Sequence, residues 1–334
     1  MTSLKRSHLP GISPRAWEHP ADRAALIALQ KIPGLDIALR TLVGATTERS
    51  LRLHALASSV RVSERQYPKL HQLLCEACNI LDAQYIPELY VAQSPFFNAG
   101  AVGVDKPFIT LNTSILDIAG SDEALAIIAH ELGHCLSGHV LYKTLLQLLL
   151  RASVSAVNLP LTAIVLAGVV YALREWDRKS ELSADRAGLL AVQNPETSYT
   201  ILVKMAGAKR VEDIDLNEFF AQAADYRDGG SFADGVYKII NTLDQTHPFP
   251  VLRLTELKSW VDSGEYGKIL AGNYARRDDA TNAKEAFYEA GRQYKHDVAE
   301  SKNSVDAAVH SVVDAASAAA GKAKDLLGTV FGGG

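Results

Sequence analysis

Apolar residues along the chain change their spacing near residue 84, from a helical period to short extended runs. Between residues 21 and 83 leucines recur at helical spacing, as six positions illustrate: Leu35, Leu39, Leu42, Leu70, Leu73 and Leu74. After Glu88, Leu89–Ala92 and Phe108–Leu111 are short runs rich in β-forming residues, with a turn sequence between them. The pattern predicts helices over residues 21–83 and a small sheet after them.

A second set of helices is predicted after the sheet. Ser121 is expected to be the N-cap of the first, because Asp122 and Glu123 follow it where the positive helix end favours acids. Two further helices are predicted: one with Asn194 as its N-cap and Pro195 in the first position, and one that begins after Pro250. Helices around one small sheet predict a mainly helical α+β fold.

Composition and charge narrow the classes of function. Hydrophobic residues make up 48% of the 334 residues and charged residues 22%, as in ordinary globular proteins. The formal net charge of −4 lacks the basic excess that a nucleic acid requires, so no nucleic-acid partner is expected. Three cysteines are too few for a disulfide framework, and Cys75 and Cys78 are interpreted as small apolar residues of a helix. Residues 1–20 contain no apolar run of secretory length, which favours the cytoplasm.

The predicted helix that starts near residue 121 carries the motif His130-Glu131-Leu132-Gly133-His134. Four residues of helix rise about 6 Å and turn about 400°, so both imidazoles project from nearly one face and can bind one metal ion. A zinc ion acidifies its bound water, and a neighbouring carboxylate such as Glu131 can accept the proton. A purely structural histidine pair is the alternative, but charged residues in so apolar a helix would be costly without a function.

A third ligand has to come from elsewhere in the chain. His139 is out of register with the third histidine of the metzincin pattern and is expected to be a helix-end residue. Glu181 and Asp185 lie four residues apart on a later predicted helix, where Glu181 can complete the site and Asp185 can orient a ligand imidazole. The alternative for this carboxylate pair is a solvated charged face.

The HELGH motif, followed 47 residues later by the sequence Ser-Glu-Leu-Ser-Ala-Asp-Arg-Ala-Gly, resembles the HtpX and CAAX-prenyl-protease type of zinc metallopeptidases. The resemblance implies a zincin-like fold and one zinc ion per chain, with the following residues at the centre: metal ligands His130, His134 and Glu181, general base Glu131, and Asp185 behind a ligand. Protein or peptide substrates follow from the same resemblance.

Two further segments carry the likeness, which extends over roughly residues 65–265. Asn98 and Ala99, before a glycine-containing strand, resemble the edge strand with which an extended peptide substrate pairs. His247, followed by proline, and Arg253 resemble a downstream element in which the histidine lies close to zinc and substrate. From the residues alone, three roles are open for His247: it stabilises the reaction intermediate, it approaches the metal, or it belongs to an ordinary His-Pro turn.

The chain departs from this family in its apolar segments. Residues 152–173 are uncharged over a length that could span a bilayer. A single crossing would, however, place His134 and Glu181, which flank these residues, on opposite sides of the membrane, although both are expected at one ion. We therefore expect residues 140–175 to form a buried helical pair or a membrane-touching hairpin, with true insertion into a bilayer as the alternative. The Ala-, Ser- and Lys-rich tail beyond about residue 300 is expected to be a mobile solvated helix, with membrane contact as the alternative.

These observations predict three regions: an N-terminal helical region (1–83), a metallopeptidase core (84–274) with the apolar insertion, and a C-terminal helix and tail (275–334). The predicted function is a zinc-dependent endopeptidase, acting in protein quality control, in the cytoplasm or at the inner face of the membrane. One alternative is an aminopeptidase, for which no motif that would bind an α-amine is found. The other is a non-catalytic chaperone or scaffold that retains zinc, against which Glu131 argues because a structural zinc needs no base.

Overall fold

The computed structural model describes residues 6–30, 45–153, 160–228 and 249–279. Helices dominate these ranges: α1 (Pro20–Gln30), α2 (Ala45–Ser58), α3 (Pro68–Ile80), α4 (Thr113–Ile118), α5 (Ser121–Leu136), α6 (His139–Ser153), α7 (Pro160–Val192), α8 (Pro195–Met205), α9 (Leu216–Asp228), α10 (Pro250–Asp262) and α11 (Glu265–Leu270). The strands are β1 (Ser59–Arg61), β2 (Leu89–Ala92), β3 (Ala99–Val102) and β4 (Phe108–Asn112). The predicted α+β, mainly helical class is confirmed.

The four strands form one mixed sheet in the order β1-β2-β4-β3. β2 and β4, both predicted from the sequence, pair in parallel, while β1 and β3 pair antiparallel with β2 and β4 respectively. β3 is therefore an edge strand, as its resemblance to a substrate-binding strand requires. The helical prediction for residues 21–83 is wrong at β1, where Val60 pairs with Val91 of β2.

Helix α5 lies at the centre of the main hydrophobic core, where it packs against α3, α7 and strands β3 and β4. Leu125, Ile128 and Leu132 of this helix are completely buried. Cys78 of α3 belongs to the same core, and both it and Cys75 are free thiols, in keeping with their interpretation as small apolar residues. The inner face of α5 is thus fixed by apolar packing, which holds the polar residues of its last turns in place.

The start of α5 differs from the prediction. Gly120, not Ser121, is the N-cap, and the carboxylate of Glu123 accepts the Gly120 N–H at 2.6 Å. The N-cap prediction for the α8 helix is confirmed, because the side chain of Asn194 accepts the N–H groups of Glu196 and Thr197. An acid in the third helical position can satisfy an exposed N–H at a helix start as well as an N-cap hydroxyl can.

The N-terminal segment joins the main core before the first helix begins. Leu9, Ile12 and Trp17 are buried in it. The guanidinium of Arg6 donates to Glu76 at 2.7 Å and to Asp122 at 2.6 Å, which ties the segment to α3 and α5. The predicted boundaries of the three regions stay predictions. Leu35, Leu39, Leu42 and the tail beyond residue 279 lie outside the described residues.

Apolar side chains of α6 and α7, most of them in the segment 140–175, form a second core, to which α1 contributes Leu29. Its buried members are Leu29, Leu145, Leu146, Leu149, Leu173 and Trp176. Among the described residues no single helix has the length and apolar character to cross a membrane. α5 and the first part of α6 meet that test only as a pair, bent by 91°.

Candidate metal centre and active site

Helix α5 places His130, Glu131 and His134 on buried positions next to α7. The two imidazole rings, one helical turn apart, have centroids separated by 5.0 Å. Glu181 of α7 is fully buried and reaches both rings: Oε2 lies 3.4 Å from Nε2 of His130, and Oε1 lies 3.2 Å from Nε2 of His134. One nitrogen or oxygen atom from each of the three residues lies within 4.8 Å of the others.

Small residues let α7 approach α5 closely enough for this convergence. Gly188 is in contact with the turn that precedes His130: a Cβ at Gly188 would stand 2.8 Å from the carbonyl oxygen of Ala126 and 3.6 Å from the Cβ of His130. A side chain at position 188 would therefore push the helices apart. The glycine of the Ser-Glu-Leu-Ser-Ala-Asp-Arg-Ala-Gly segment is thus part of the geometry that brings Glu181 to the histidines.

The donor set fits a zinc ion. Two imidazole nitrogens and one carboxylate oxygen are the borderline ligands that zinc prefers, and three protein ligands leave a coordination position for water. His134 is fully buried, and its Nε2, which faces Oε1 of Glu181 at 3.2 Å, makes no hydrogen bond of normal geometry within the described part of the chain. A buried nitrogen in this condition is costly unless a metal ion or another partner satisfies it.

The charges around the two imidazoles are also suited to a cation. Burial by itself would lower the pKa of His130, but the hydrogen bonds and negative charges of Asp185 and Glu181 raise it to about 9. Burial and the charge of Lys143 hold the pKa of His134 well below its usual value, so this ring is neutral, as a zinc ligand must be. The two carboxylates thus favour positive charge beside His130.

Asp185 and Arg253 form the layer behind these residues. Oδ1 of Asp185 lies 3.1 Å from Nδ1 of His130, the contact expected of a residue that orients a ligand imidazole. The guanidinium of Arg253 donates to both oxygens of Asp185, at 2.8 and 2.6 Å, and lies 3.3 Å from Glu181. Although burial opposes ionisation, Arg253 and His130 hold the pKa of Asp185 below its usual value. The predicted role of Arg253 in substrate binding stays a prediction.

Three residues near the centre could not be assigned a role from the sequence. Lys143 of α6 is buried and donates to Asp177 at 2.7 Å and to Glu181 at 2.6 Å. A single lysine in the otherwise apolar run of α6 is the signal that could have drawn attention to it.

His139 begins α6, in agreement with its prediction as a helix-end residue, but it is buried beside His134, and Asp22 of α1 lies behind it.

A cavity of about 50 Å³ opens beside His130 and Glu131. Asn98 and Ala99 line it, so the predicted substrate-binding segment lies at the same site as the metal ligands. Most of the remaining lining is apolar: Phe97, Ile115, Ala126, Ile127, Ile201, Leu202, Met205 and Leu257. A groove of about 1010 Å³ shares part of this lining and extends past the exposed Phe96. His247 lies outside the described residues.

Comparison with known proteins agrees with this geometry. The profile of peptidase family M48 matches residues 64–261. The plastoglobule-localized metallopeptidase 48, chloroplastic, of Arabidopsis thaliana is 35% identical over 260 residues, which cover 76% of this chain and 74% of that protein. Protease HtpX homolog 2 of Methanosarcina acetivorans is 26% identical over 228 residues, covering 59% of this chain and 74% of that protein.

Protease HtpX homolog 1 of Streptomyces coelicolor is 29% identical over 211 residues, covering 55% of this chain and 69% of that protein. No solved structure matches the chain. The match to the family profile spans more than half of the chain and includes both helices of the metal centre. The chain therefore belongs to peptidase family M48 and is a zinc-dependent protease.

Proposed function

We propose that this protease is an endopeptidase that cuts internal bonds of extended polypeptides at a zinc ion held by His130, His134 and Glu181. The observation that carries the proposal is the convergence of these three side chains, from two distant helices, with Glu131 buried beside them. Oε1 of Glu131 lies 4.0 Å from Nε2 of His130, so the carboxylate is adjacent to the donor atoms without being part of the donor group.

When bound, zinc would supply a water of lowered pKa and would polarise the scissile carbonyl. Glu131 takes the proton of the attacking water and then delivers it to the leaving amine, which divides the proton transfer into two short steps. Its 1% exposure keeps bulk water away from the proton while it is held. Asp185, fixed by Arg253, holds the ring of His130 in a defined orientation.

Substrate binding is assigned to the edge strand β3. An extended peptide can add to this edge as a further strand, and main-chain hydrogen bonds then fix it with little dependence on its side chains. Ala99 begins the strand, Asn98 directly precedes it, and both line the cavity, so a peptide bound there passes Glu131. An apolar side chain next to the scissile bond would enter the cavity. Tolerance of sequence suits the removal of damaged proteins, and His247 remains a proposed contributor near the intermediate.

The groove supports internal cleavage over removal of single N-terminal residues. It shares Phe97, Asn98 and Met205 with the cavity and continues beyond it, which leaves room for a polypeptide that extends past the site. Aminopeptidase activity would need acidic or amide side chains placed to bind the α-amine of the substrate. Glu181 and Asp185 are instead engaged by Lys143 and Arg253. A scaffold that uses zinc for stability would gain nothing from a buried Glu131.

The cellular location is part of the proposal as well. The name of the plant relative places that protein at plastoglobules. For this chain we propose a cytoplasmic enzyme, with contact at the inner face of the membrane through residues 140–175 or the tail as the alternative. Cell fractionation of the full-length chain, followed by a carbonate wash, distinguishes a soluble enzyme from a membrane-bound one.

The test of the mechanism compares three variants of the full chain for zinc content and for cleavage of unfolded casein. Glu131→Gln should retain one zinc ion and lose cleavage by at least about 10²-fold, since it removes the general base. Glu181→Ala should lose the metal. Glu212→Gln, at an exposed glutamate that lines neither the cavity nor the groove, is the control and should resemble the natural protein.

Unchanged casein cleavage by Glu131→Gln would remove the proposed mechanism. Full zinc occupancy in Glu181→Ala would remove the ligand assignment. Mass spectrometry of the products separates the two modes of cleavage: internal fragments, and continued cutting of an N-acetylated peptide, are expected of an endopeptidase. Stepwise loss of N-terminal residues, with no cutting of the blocked peptide, would favour the aminopeptidase.

A further inference from the structure

A buried chain of hydrogen bonds runs from the metal centre to the N-terminal helix. Nδ1 of His134 lies 3.0 Å from Nδ1 of His139, and Nε2 of His139 lies 3.0 Å from Oδ2 of Asp22. His134, His139 and Asp22 are each at most 1% exposed. The hydroxyl of Ser183, on α7, donates to the same oxygen of Asp22 at 2.5 Å. The carboxylate therefore contacts α7 as well as His139.

We propose that Asp22 is a positioning residue of the zinc site, and that it acts through His139 to fix the proton and the orientation of His134. The inference rests on the proposed zinc ligands. It assigns a role to helix α1, which lies outside the residues matched by the family profile.

The positions of the protons follow from the chemistry of the three groups. A neutral imidazole that binds a metal through Nε2 carries its proton on Nδ1. This N–H of His134 then donates to Nδ1 of His139, which must be an acceptor. The proton of His139 is consequently on Nε2, where the carboxylate of Asp22 accepts it. An ionised carboxylate can only accept, so Asp22 sets the direction of both hydrogen bonds.

The two histidine ligands are thus supported in different ways. His130 contacts the carboxylate of Asp185 directly at 3.1 Å, whereas His134 reaches the carboxylate of Asp22 through a second imidazole. The ring of Trp176 packs against His139 with centroids 5.6 Å apart, which restricts the rotation of the intervening ring. A carboxylate behind a ligand imidazole orients the ring and raises its affinity for the metal. We expect Asp22 to have the same effect on His134, acting through His139.

A purely structural role for Asp22 is the alternative. It would anchor α1 to α7 through Ser183, whose hydroxyl also accepts the N–H of His19 at 2.8 Å. Such an anchor would contribute to the stability of the protein but would leave its affinity for zinc unchanged. The two roles therefore differ in a measurement of zinc binding made on the folded protein.

The experiment measures the zinc dissociation constant of the full-length chain at pH 7.5, by competition with a chromogenic chelator. Asp22→Asn should weaken binding by about 10- to 100-fold, because the amide no longer sets the direction of the hydrogen bonds. Ser183→Ala is the matched control, since it removes a partner of Asp22 without interrupting the path to His134. Its dissociation constant should stay within about threefold of the natural value. The absorption spectrum of bound Co²⁺ should change in Asp22→Asn and not in Ser183→Ala.

His139→Gln provides the second variant and should show the same loss of zinc affinity. In that background Asp22→Asn should cause no further loss, because the connection is already broken. Unchanged zinc affinity in folded Asp22→Asn would overturn the proposal, and if this variant does not fold, unchanged affinity in His139→Gln would overturn it. In either case zinc binding by the natural protein would leave the proposed function standing. Absence of zinc binding by the natural protein would overturn both.

Discussion

Gly133 lies so close to Ala187 that a Cβ on Gly133 would stand 2.6 Å from the Cβ of Ala187. Gly133 lies in the turn of α5 between His130 and His134, and Ala187 lies six residues beyond Glu181 in α7. This contact, together with that of Gly188 on Ala126, sets the separation of the two helices. The reach of Glu181 to both imidazoles therefore depends on the absence of a Cβ at both glycines.

Gly133→Ala should destabilise the protein and reduce its zinc affinity. Overpacking costs about 1–3 kcal/mol and outweighs the roughly 1 kcal/mol that alanine gains over glycine within a helix. Gly267→Ala, at a helical position with nothing within 4 Å, is the control and should be neutral or slightly stabilising. Urea unfolding and zinc titration measure the two effects. Equal stability of Gly133→Ala and Gly267→Ala would contradict the prediction, because it would mean that α5 and α7 can move apart at no cost in free energy.

The ammonium of Lys143 provides a second prediction, because it is buried between two carboxylates. Lys143→Met should destabilise the protein by about 3–5 kcal/mol, since Asp177 would be left buried without its cation. The double variant with Asp177→Leu should cost less than the sum of the single changes. Lys258→Met, which breaks an exposed pair with Asp262, is the control and should cost under about 1 kcal/mol. A similar effect of the two lysine changes in urea unfolding would contradict the prediction.

The candidate metal donors can be predicted from the sequence because their geometry is local. Two histidines four residues apart in a helix lie on one face whatever the rest of the fold does. Glu181 and Asp185 can be proposed from the same helical spacing, once a partner for two histidines is required. The strands β2 and β4 can be predicted because four or five β-forming residues in succession are a sufficient signal.

Other features depend on contacts between distant segments and have no local pattern. Lys143 meets Glu181 across 38 residues, and Ser183 meets Asp22 across 161. Strand β1 has three residues, too few for a period to be recognised, and it exists because β2 provides its partner. The N-cap at Gly120 is by contrast a local feature: the carboxylate of Glu123 accepts the backbone N–H of Gly120, which needs no side chain at the N-cap itself.

The cavity beside Glu131 predicts a preference among peptide substrates. Its volume of about 50 Å³ is lined mainly by apolar side chains, so alanine or valine next to the scissile bond should be cut faster than phenylalanine or a charged residue. Ile201→Ala enlarges the cavity and should shift the preference toward leucine and phenylalanine, by about 10-fold or more. Ile118→Ala, at an exposed residue, is the control. The preference is measured by mass spectrometry of a cleaved peptide library. An unaltered preference in Ile201→Ala would contradict the prediction.

His19 links the start of α1 to the acid stability of the protein. Its Nδ1 accepts the N–H of Ala21 at 3.1 Å, which requires an unprotonated nitrogen. Burial, followed by the positive charge of Arg186, lowers the pKa of His19 to about 3, against the opposing charge of Asp22. Nε2 of His19 lies 3.9 Å from Glu256. The folded protein therefore keeps this ring neutral at a pH where the unfolded chain protonates it.

The free energy of unfolding should accordingly decrease as the pH is lowered from about 6.5 to 3, because the unfolded state binds a proton that the folded state excludes. The slope from this one group is at most about 1.4 kcal/mol per pH unit. His19→Asn keeps an acceptor for the N–H of Ala21 and removes the titration, so its urea stability should fall less steeply from pH 7 to pH 4.5. Arg186→Met should reduce the slope by allowing the pKa to rise. Parallel pH curves for the natural protein and His19→Asn would mean that His19 takes up its proton in the folded state as readily as in the unfolded chain.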